Sequence, residues 1–321
     1  NSPEIGFENA SFSWNGTTEN DFKLRDLSID FKVGKLNVVI GPTGSGKTSL
    51  LLALLGEMTL TSGNVFLPGI IPRDELVVHP QTGLTESVAY CSQAAWLLND
   101  TIKNNITFGS LLNEDRYKKV IEACGLTRDL EILSAGDATE VGEKGITLSG
   151  GQKQRVSLAR ALYSNSKHVL LDDCLSAVDS HTALWIYENC VSGPLMEGRT
   201  CILVSHNVAL TVQNAAWIVS LDNGRIKNQG IPEALLETGD LGDDDLVKSS
   251  VISSRNASTS NLQSLEDKNA ELKNKAAVIE NKLKALSKND DEDATNQKKH
   301  DGKLVEEEGK AEGVVDFSVY T

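Results

Sequence analysis

Between Val39 and Ser49 the chain reads Val-Ile-Gly-Pro-Thr-Gly-Ser-Gly-Lys-Thr-Ser, residue types and spacings that suit a phosphate chain. Gly41, Gly44 and Gly46 let the backbone turn its N–H groups inward as a cradle, and the following helix adds the positive end of its dipole. Lys47 would reach the β- and γ-phosphates of a nucleotide, and the Thr48 hydroxyl would ligate Mg²⁺. Thr43, Ser45 and Ser49 belong to the same nucleotide-binding set. A second glycine-bearing helix start, Leu148-Ser149-Gly150-Gly151-Gln152, offers another anion site ahead of a helix running from Lys153 to Tyr163. Two carboxylates, Asp172 and Asp173, end the apolar run His168 to Leu171. Ends of strands in open α/β sheets are where such folds place their chemistry. Gln93 and His206 also follow strand-like runs; by itself, a histidine in that position is more often structural.

These groups need strands to deliver them. Alternating apolar residues from Glu4 to Phe12 predict a half-buried strand, with Trp14 at its end, and Leu27, Ile29, Phe31 and Val33 predict a second. Trp14 is open to two readings, a face stacked on a nucleotide base or ordinary core packing. Leu36 to Ile40 is a strand entering the phosphate loop, and the helix starting at Lys47 leaves it. Further strands are expected at Asn64 to Leu67, Ser87 to Cys91, His168 to Leu171 and Thr200 to Val204. Ala216 to Leu221 and Arg225 to Gln229, joined by Asp222-Asn223-Gly224, form a hairpin. Residues 68–85 carry Pro68, Pro72, Pro80, Gly69 and Gly83, which marks a surface insertion. Ile102 to Leu133 has a helical pattern with Glu114 and Asp115 in a first turn; the stretch from Leu133 to Gly145 is a loop.

The 321 residues suffice for a large domain and more, and a net charge of −14 argues against nucleic acid or an anionic membrane surface as the main partner. The 5 cysteines show no Cys-x-x-Cys spacing, which favours reduced thiols over disulfides or zinc. No run approaches the ~18 apolar residues of a membrane helix. The chain opens on Asn-Ser-Pro-Glu and is expected to be a segment of something longer. From about Thr238 aspartates cluster, serines and asparagines multiply and aromatics vanish until Phe317, the composition of a disordered linker. Within it Leu265, Leu272, Ile279 and Leu286 recur every seventh residue, predicting one amphipathic helix about 40 Å long, either solvated or docked on another surface. Ser258 and Ser264 lie in short phosphorylation-like patterns.

Taken in order, the phosphate loop, Gln93, the pentapeptide Leu148 to Gln152, Asp172, Asp179 and His206 resemble the nucleotide-binding domain of ATP-binding cassette (ABC) transporters over about Glu4 to Leu236. The text around Asn99-Asp100-Thr101, Asp173 to Asp179 and Val305 to Gly313 is similar to the first such domain, plus linker, of C-subfamily (multidrug-resistance-associated) transporters, fungal vacuolar members above all. The resemblance implies an α/β fold: a P-loop NTPase core with an antiparallel β-subdomain and a helical subdomain (about 94–165) within residues 1–237. An acidic regulatory linker (238–310, helix about 261–288) would follow, then the start of a lead-in to a second membrane domain (311–321). It further implies that Trp14 stacks on adenine, that Thr48, Gln93 and Asp172 serve Mg²⁺, and that Gln93 and His206 sense the γ-phosphate. Ser149, Gly150, Gly151 and Gln152 would face an ATP held by a second nucleotide-binding domain. Trp96 to Thr101 and Glu140 to Lys144 would dock coupling helices of the membrane domains. ATP and Mg²⁺ are the cofactors implied, a kinase acting on the linker is a further partner, and the place is the cytosolic face of a membrane, the vacuolar one.

One position departs from the family. Its hydrolytic pattern has a glutamate after the metal-binding aspartate, whereas this chain has Asp173. A carboxylate one methylene shorter sits roughly 1 Å back from the attacking water, and such a misplacement costs about 10²-fold, or ~2.7 kcal/mol of barrier. Slow turnover at this site, with ATP binding intact, is therefore expected. A soluble DNA-repair-type ATPase of the same family is disfavoured, because only about 100 residues separate phosphate loop and pentapeptide, too few for its long coiled coil. A third reading is a regulatory interaction module in which the nucleotide site serves as a switch.

Overall fold

The computed structural model describes residues 3–14, 22–68, 75–142, 147–212, 214–239 and 241. The expected linker, its heptad helix, Ser258, Ser264 and the lead-in at 311–321 lie outside the described residues.

Apolar alternation builds the first layer. β1 (Gly6–Ser13) buries Phe7, Ala10 and Phe12 and pairs antiparallel with β2 (Lys23–Asp30). Phe7 and Ala10 are three apart, which a strict two-residue period would put on opposite faces. A bulge at Asn9 (φ 46°) absorbs the extra residue. β3 (Leu36–Ile40) leads into the phosphate loop and α1 (Lys47–Leu54) out of it. β4 (Thr59–Phe66) then joins β1 to complete a three-stranded sheet in the order β2-β1-β4. This strand is twice the length that Asn64 to Leu67 suggested. Thr59 to Asn64 are exposed on an edge, so the ladder to β1 holds them and no apolar pattern reveals them.

The larger sheet has six strands in the order β11-β10-β3-β9-β8-β5. β5 (Thr85–Cys91), β8 (Ser166–Asp172), β9 (Thr200–Val204), β3 and β10 (Trp217–Asp222) are parallel, and β11 (Arg225–Gly230) closes the edge antiparallel to β10. Parallel strands covered on both faces read as continuous apolar runs, and β9 is buried throughout. β8 serves both faces in alternation: Val169 and Leu171 enter a core beneath the helices, Leu170 a second core against α1 and the three-stranded sheet. The β10–β11 turn has Asn223 at φ 44° and Gly224 at φ 73°, the type I′ geometry that the Asn-Gly pair predicts.

The expected helical stretch after Ile102 divides into α2 (Ile102–Thr107), α3 (Glu114–Ala123) and α4 (Thr127–Ile132). α2 stops at Phe108, whose φ of 47° cannot continue a helix, and α3 starts at an Asn113 side-chain cap. Inside the expected loop after Leu133, β7 (Glu140–Val141) pairs with β6 (Asp100–Thr101). α5 (Gly150–Tyr163) carries the pentapeptide at its head. Its tail is held by two arginines: Arg116 donates to the carbonyls of Leu162, Tyr163 and Ser164, and buried Arg199 to those of Ala161, Leu162 and Ser164. Cations at a helix C-terminus satisfy its free carbonyls and oppose its dipole. α6 (Ser180–Ile186), capped by Asp179, α7 (Val208–Thr211) and α8 (Pro232–Glu237) complete the described chain. All five cysteines are free, buried thiols.

Candidate functional site

β3, β8 and β9 are neighbours in the sheet and parallel, so their C-terminal ends bring three distant segments together. At the end of β3 the loop turns through Gly46 (φ 105°), where a Cβ would lie 2.6 Å from the ring of Phe22. Only glycine allows both that backbone and that approach. Lys47, 6% exposed, turns back over the loop, and its Nζ donates to the carbonyls of Gly41 (2.8 Å) and Pro42 (2.9 Å). Burial pushes its pKa below the ordinary lysine value, and Asp173 and Asp172 offset part of that.

β8 supplies the carboxylates. Asp172 Oδ1 accepts from Thr48 Oγ1 at 3.1 Å and Oδ2 from the Tyr90 hydroxyl at 3.3 Å. Burial raises the Asp172 pKa; these two hydrogen bonds and Lys47 counteract the rise, while Asp173 adds to it. Asp173 leaves the strand at φ 50°, a left-handed conformation that aspartate tolerates better than most residues. Its N–H donates to the Val204 carbonyl at 3.0 Å. Its Oδ2 accepts from Gln93 Nε2 at 3.3 Å and lies 3.8 Å from His206 Nε2.

Together these groups border a cleft of about 300 Å³. Thr43, Gly44, Gly46, Lys47, Thr48 and Ser49 form one wall; Gln93, Asp172, Asp173 and His206 face it. Trp14 stands at the rim, 41% exposed, so it is not the core residue that the alternative reading allowed. Ser45 is buried beneath the loop with its hydroxyl unpaired, and Gly41 borders a neighbouring hollow with Ser205 and Ser220. Two lining residues escaped the sequence reading, Phe22 and Val204. Tyr90, which holds Asp172, also escaped it; only its position three residues before Gln93 gave any signal.

The pentapeptide is not part of that cleft. Ser149 Oγ accepts from the Gln152 N–H at 3.2 Å, and Gln152 Oε1 accepts from the Ser149 N–H at 2.9 Å, a reciprocal capping box. Gln152 Nε2 donates to Asp129 Oδ1 (2.8 Å), and Asp129 also pairs with Arg155. Ser149 and Gly150 face outward, with open space where a Gly150 Cβ would stand. A separate exposed surface surrounds β6 and β7. The Arg160 guanidinium lies 4.1 Å from the Trp96 ring centroid and 5.1 Å from that of Phe108, and both rings are exposed. Beside it a hollow of about 490 Å³ is lined by Leu97, Asn99, Val141 and Leu148. Glu143 and Lys144 lie outside the described residues.

A strand–loop–helix with its lysine at the C-terminal edge of a parallel sheet, and an aspartate at the end of β8, which only β9 separates from β3, define a P-loop nucleoside-triphosphatase core. Residues 24–176 match the ABC transporter family, and the chain belongs to it as an ATP-binding domain. It is 59% identical over its whole length to the ATP-dependent bile acid permease of Saccharomyces cerevisiae, covering 20% of that protein. It is 54% identical to the pleiotropic ABC efflux transporter of multiple drugs YBT1 of Candida glabrata, again over its whole length and 18% of the relative. Identity to the ABC transporter ATP-binding protein/permease VMR1 of S. cerevisiae is 53%, over 99% of the chain and 19% of the relative. The chain thus spans about a fifth of the length of the curated relatives it matches.

Proposed function

We propose that this chain is the first nucleotide-binding domain, with its linker, of a C-subfamily exporter at the cytosolic face of the vacuolar membrane. Its cleft binds MgATP and turns it over slowly. The observation that carries this reading is the assembly of Lys47 and Thr48, after β3, with Asp172 and Asp173, at the end of β8, on one cleft, with Asp173 where the family's hydrolytic pattern has glutamate. Trp14 stacks on adenine, the loop N–H groups and Lys47 hold the phosphates, and His206 and Gln93 contact the γ-phosphate.

The donor set fits Mg²⁺. The Thr48 hydroxyl, the Asp172 carboxylate and the Gln93 amide oxygen are hard ligands. When bound, the ion neutralises charge on the β- and γ-phosphates. Asp173, short by a methylene, holds a nucleophilic water less closely than glutamate would.

The segment Ser149 to Gln152, exposed at Ser149 and Gly150, completes the ATP site of a second nucleotide-binding domain, and ATP-driven closure of the two drives transport. The Trp96–Phe108 surface and the adjacent hollow receive coupling helices of the membrane domains, since two exposed rings over an arginine form an apolar patch with a cationic centre. The names of the relatives, a permease and an efflux transporter, favour export. A kinase acting on Ser258 or Ser264 regulates through the linker. ATP binding and hydrolysis by this chain alone, then with the matching second domain added, test the reading. Binding without appreciable hydrolysis, then hydrolysis on mixing, is expected; fast turnover by the chain alone overturns it.

A further inference from the structure

Asp172 is held by two hydroxyls, and they arrive by different routes. Thr48 comes from the first turn of α1 and donates to Oδ1 at 3.1 Å; Tyr90 comes from β5 and donates to Oδ2 at 3.3 Å. Thr48 is itself a candidate metal ligand, so its hydroxyl has a second use once an ion binds. Among the described residues the Tyr90 hydroxyl has no other hydrogen-bond partner, and it sits behind the carboxylate.

Register decides this contact. β5 lies beside β8 in parallel, with Tyr90 opposite Leu170 and Cys91 opposite Leu171. Side chains alternate between faces, so Tyr90, Leu170 and Asp172 share one face and the phenol reaches along β8 to the carboxylate. The ring is half-buried in the core that Leu170 enters, which restricts its rotation. An ordinary phenol is protonated at neutral pH, so Tyr90 is the donor in this contact.

We propose that Tyr90 is a positioning residue for the Mg²⁺ site: by donating to Asp172 Oδ2 it fixes the carboxylate so that the opposite oxygen faces the ion. A carboxylate turns about its last torsion in a broad, two-fold well, and without a donor behind it the orientation would have to be fixed at the moment of metal binding. The inference rests on the MgATP-binding reading above and deepens it.

Tyr90→Phe removes one oxygen and leaves the ring. Binding of a fluorescent ATP analogue to the whole chain is titrated at rising MgCl₂, and in EDTA. The Mg²⁺ concentration for half-maximal enhancement is expected to rise about tenfold, the lower end of what outer-shell partners contribute to metal affinity. Affinity in EDTA stays within about twofold, and Mn²⁺ affinity of the nucleotide-bound chain, read by electron paramagnetic resonance, falls in parallel. An unchanged Mg²⁺ requirement overturns the proposal. Equal weakening with and without Mg²⁺ also overturns it, because Tyr90 would then be a packing residue. Should the unaltered chain bind no ATP, the function proposed above fails first, and Tyr90 loses its role with it.

Discussion

Two helix starts in this chain have nearly the same vocabulary, glycines with a hydroxyl residue beside them, and the fold uses them in opposite ways. α1 opens from Gly46, which has no side chain to cap it, and faces a cleft lined by the chain's own lysine and carboxylates. α5 opens from Ser149, whose side chain and that of Gln152 satisfy one another's N–H groups. An uncapped start leaves donors for an anion; a capped one has two of those donors satisfied by its own side chains. One lies in the cleft; the other would, on the function proposed above, help complete a site on a second domain.

The largest effect that separates them is at Lys47. Lys47→Ala removes a charge-assisted contact worth about 1.5–3 kcal/mol and should weaken ATP binding to this chain about 100-fold, read by fluorescent-nucleotide titration. Retained affinity would break the contrast, because the cleft would not be the binding site. Next comes Asp173→Glu in the full transporter, expected to raise turnover at this site by up to about 100-fold. Unchanged single-site hydrolysis would mean that something other than carboxylate reach, such as the left-handed backbone at this position, limits the rate.

Trp14→Ala removes the exposed face at the rim and should weaken ATP binding by about three- to tenfold, since an aromatic stack contributes roughly 0.5–1.5 kcal/mol. Equal loss with inorganic triphosphate, which has no base, would show that Trp14 does not touch the base. Ser149→Ala acts on α5 alone: loss of a cap costs about 1 kcal/mol. A melting temperature lower by about 2–4 °C follows, with nucleotide affinity of this chain retained. A matching loss of affinity would merge the two helix starts into one site.

The smallest effect concerns pH and lies at neither start. His168, buried between β8 and its neighbours, is pushed below the ordinary histidine range by burial, although its hydrogen bond to Glu86 works the other way. The unfolded chain then takes up a proton first as pH falls, and stability declines below about pH 6.5. Burial would raise the Glu86 pKa, but hydrogen bonds from His168 and Lys167 outweigh it and lower the value, so its contribution too is present at neutral pH and lost in acid. His168→Gln should flatten the thermal-unfolding curve against pH between about 7 and 5.5. An unchanged slope would place the acid sensitivity elsewhere, including at the helix starts.

Much of the strand framework was visible because buried strands leave period-two or continuous apolar runs. β9 and the β10–β11 hairpin fall within a residue of expectation. β4 was half missed because an edge strand is stabilised by backbone pairing, which has no side-chain signature. Ile102 to Leu133 looked continuous because apolar spacing survives across Phe108 and Gly125, while the breaks are made by backbone angles.

The sequence alone determined the chemistry available: a glycine cradle, a lysine, a hydroxyl and two carboxylates, each tied to a local strand or helix by short-range pattern. Tertiary structure decided which of these meet. Asp172 is 124 residues from Thr48 and 82 from Tyr90. Contact between them depends on the order and register of parallel strands. That register is set by packing and ladder hydrogen bonds between distant segments, which no local spacing encodes.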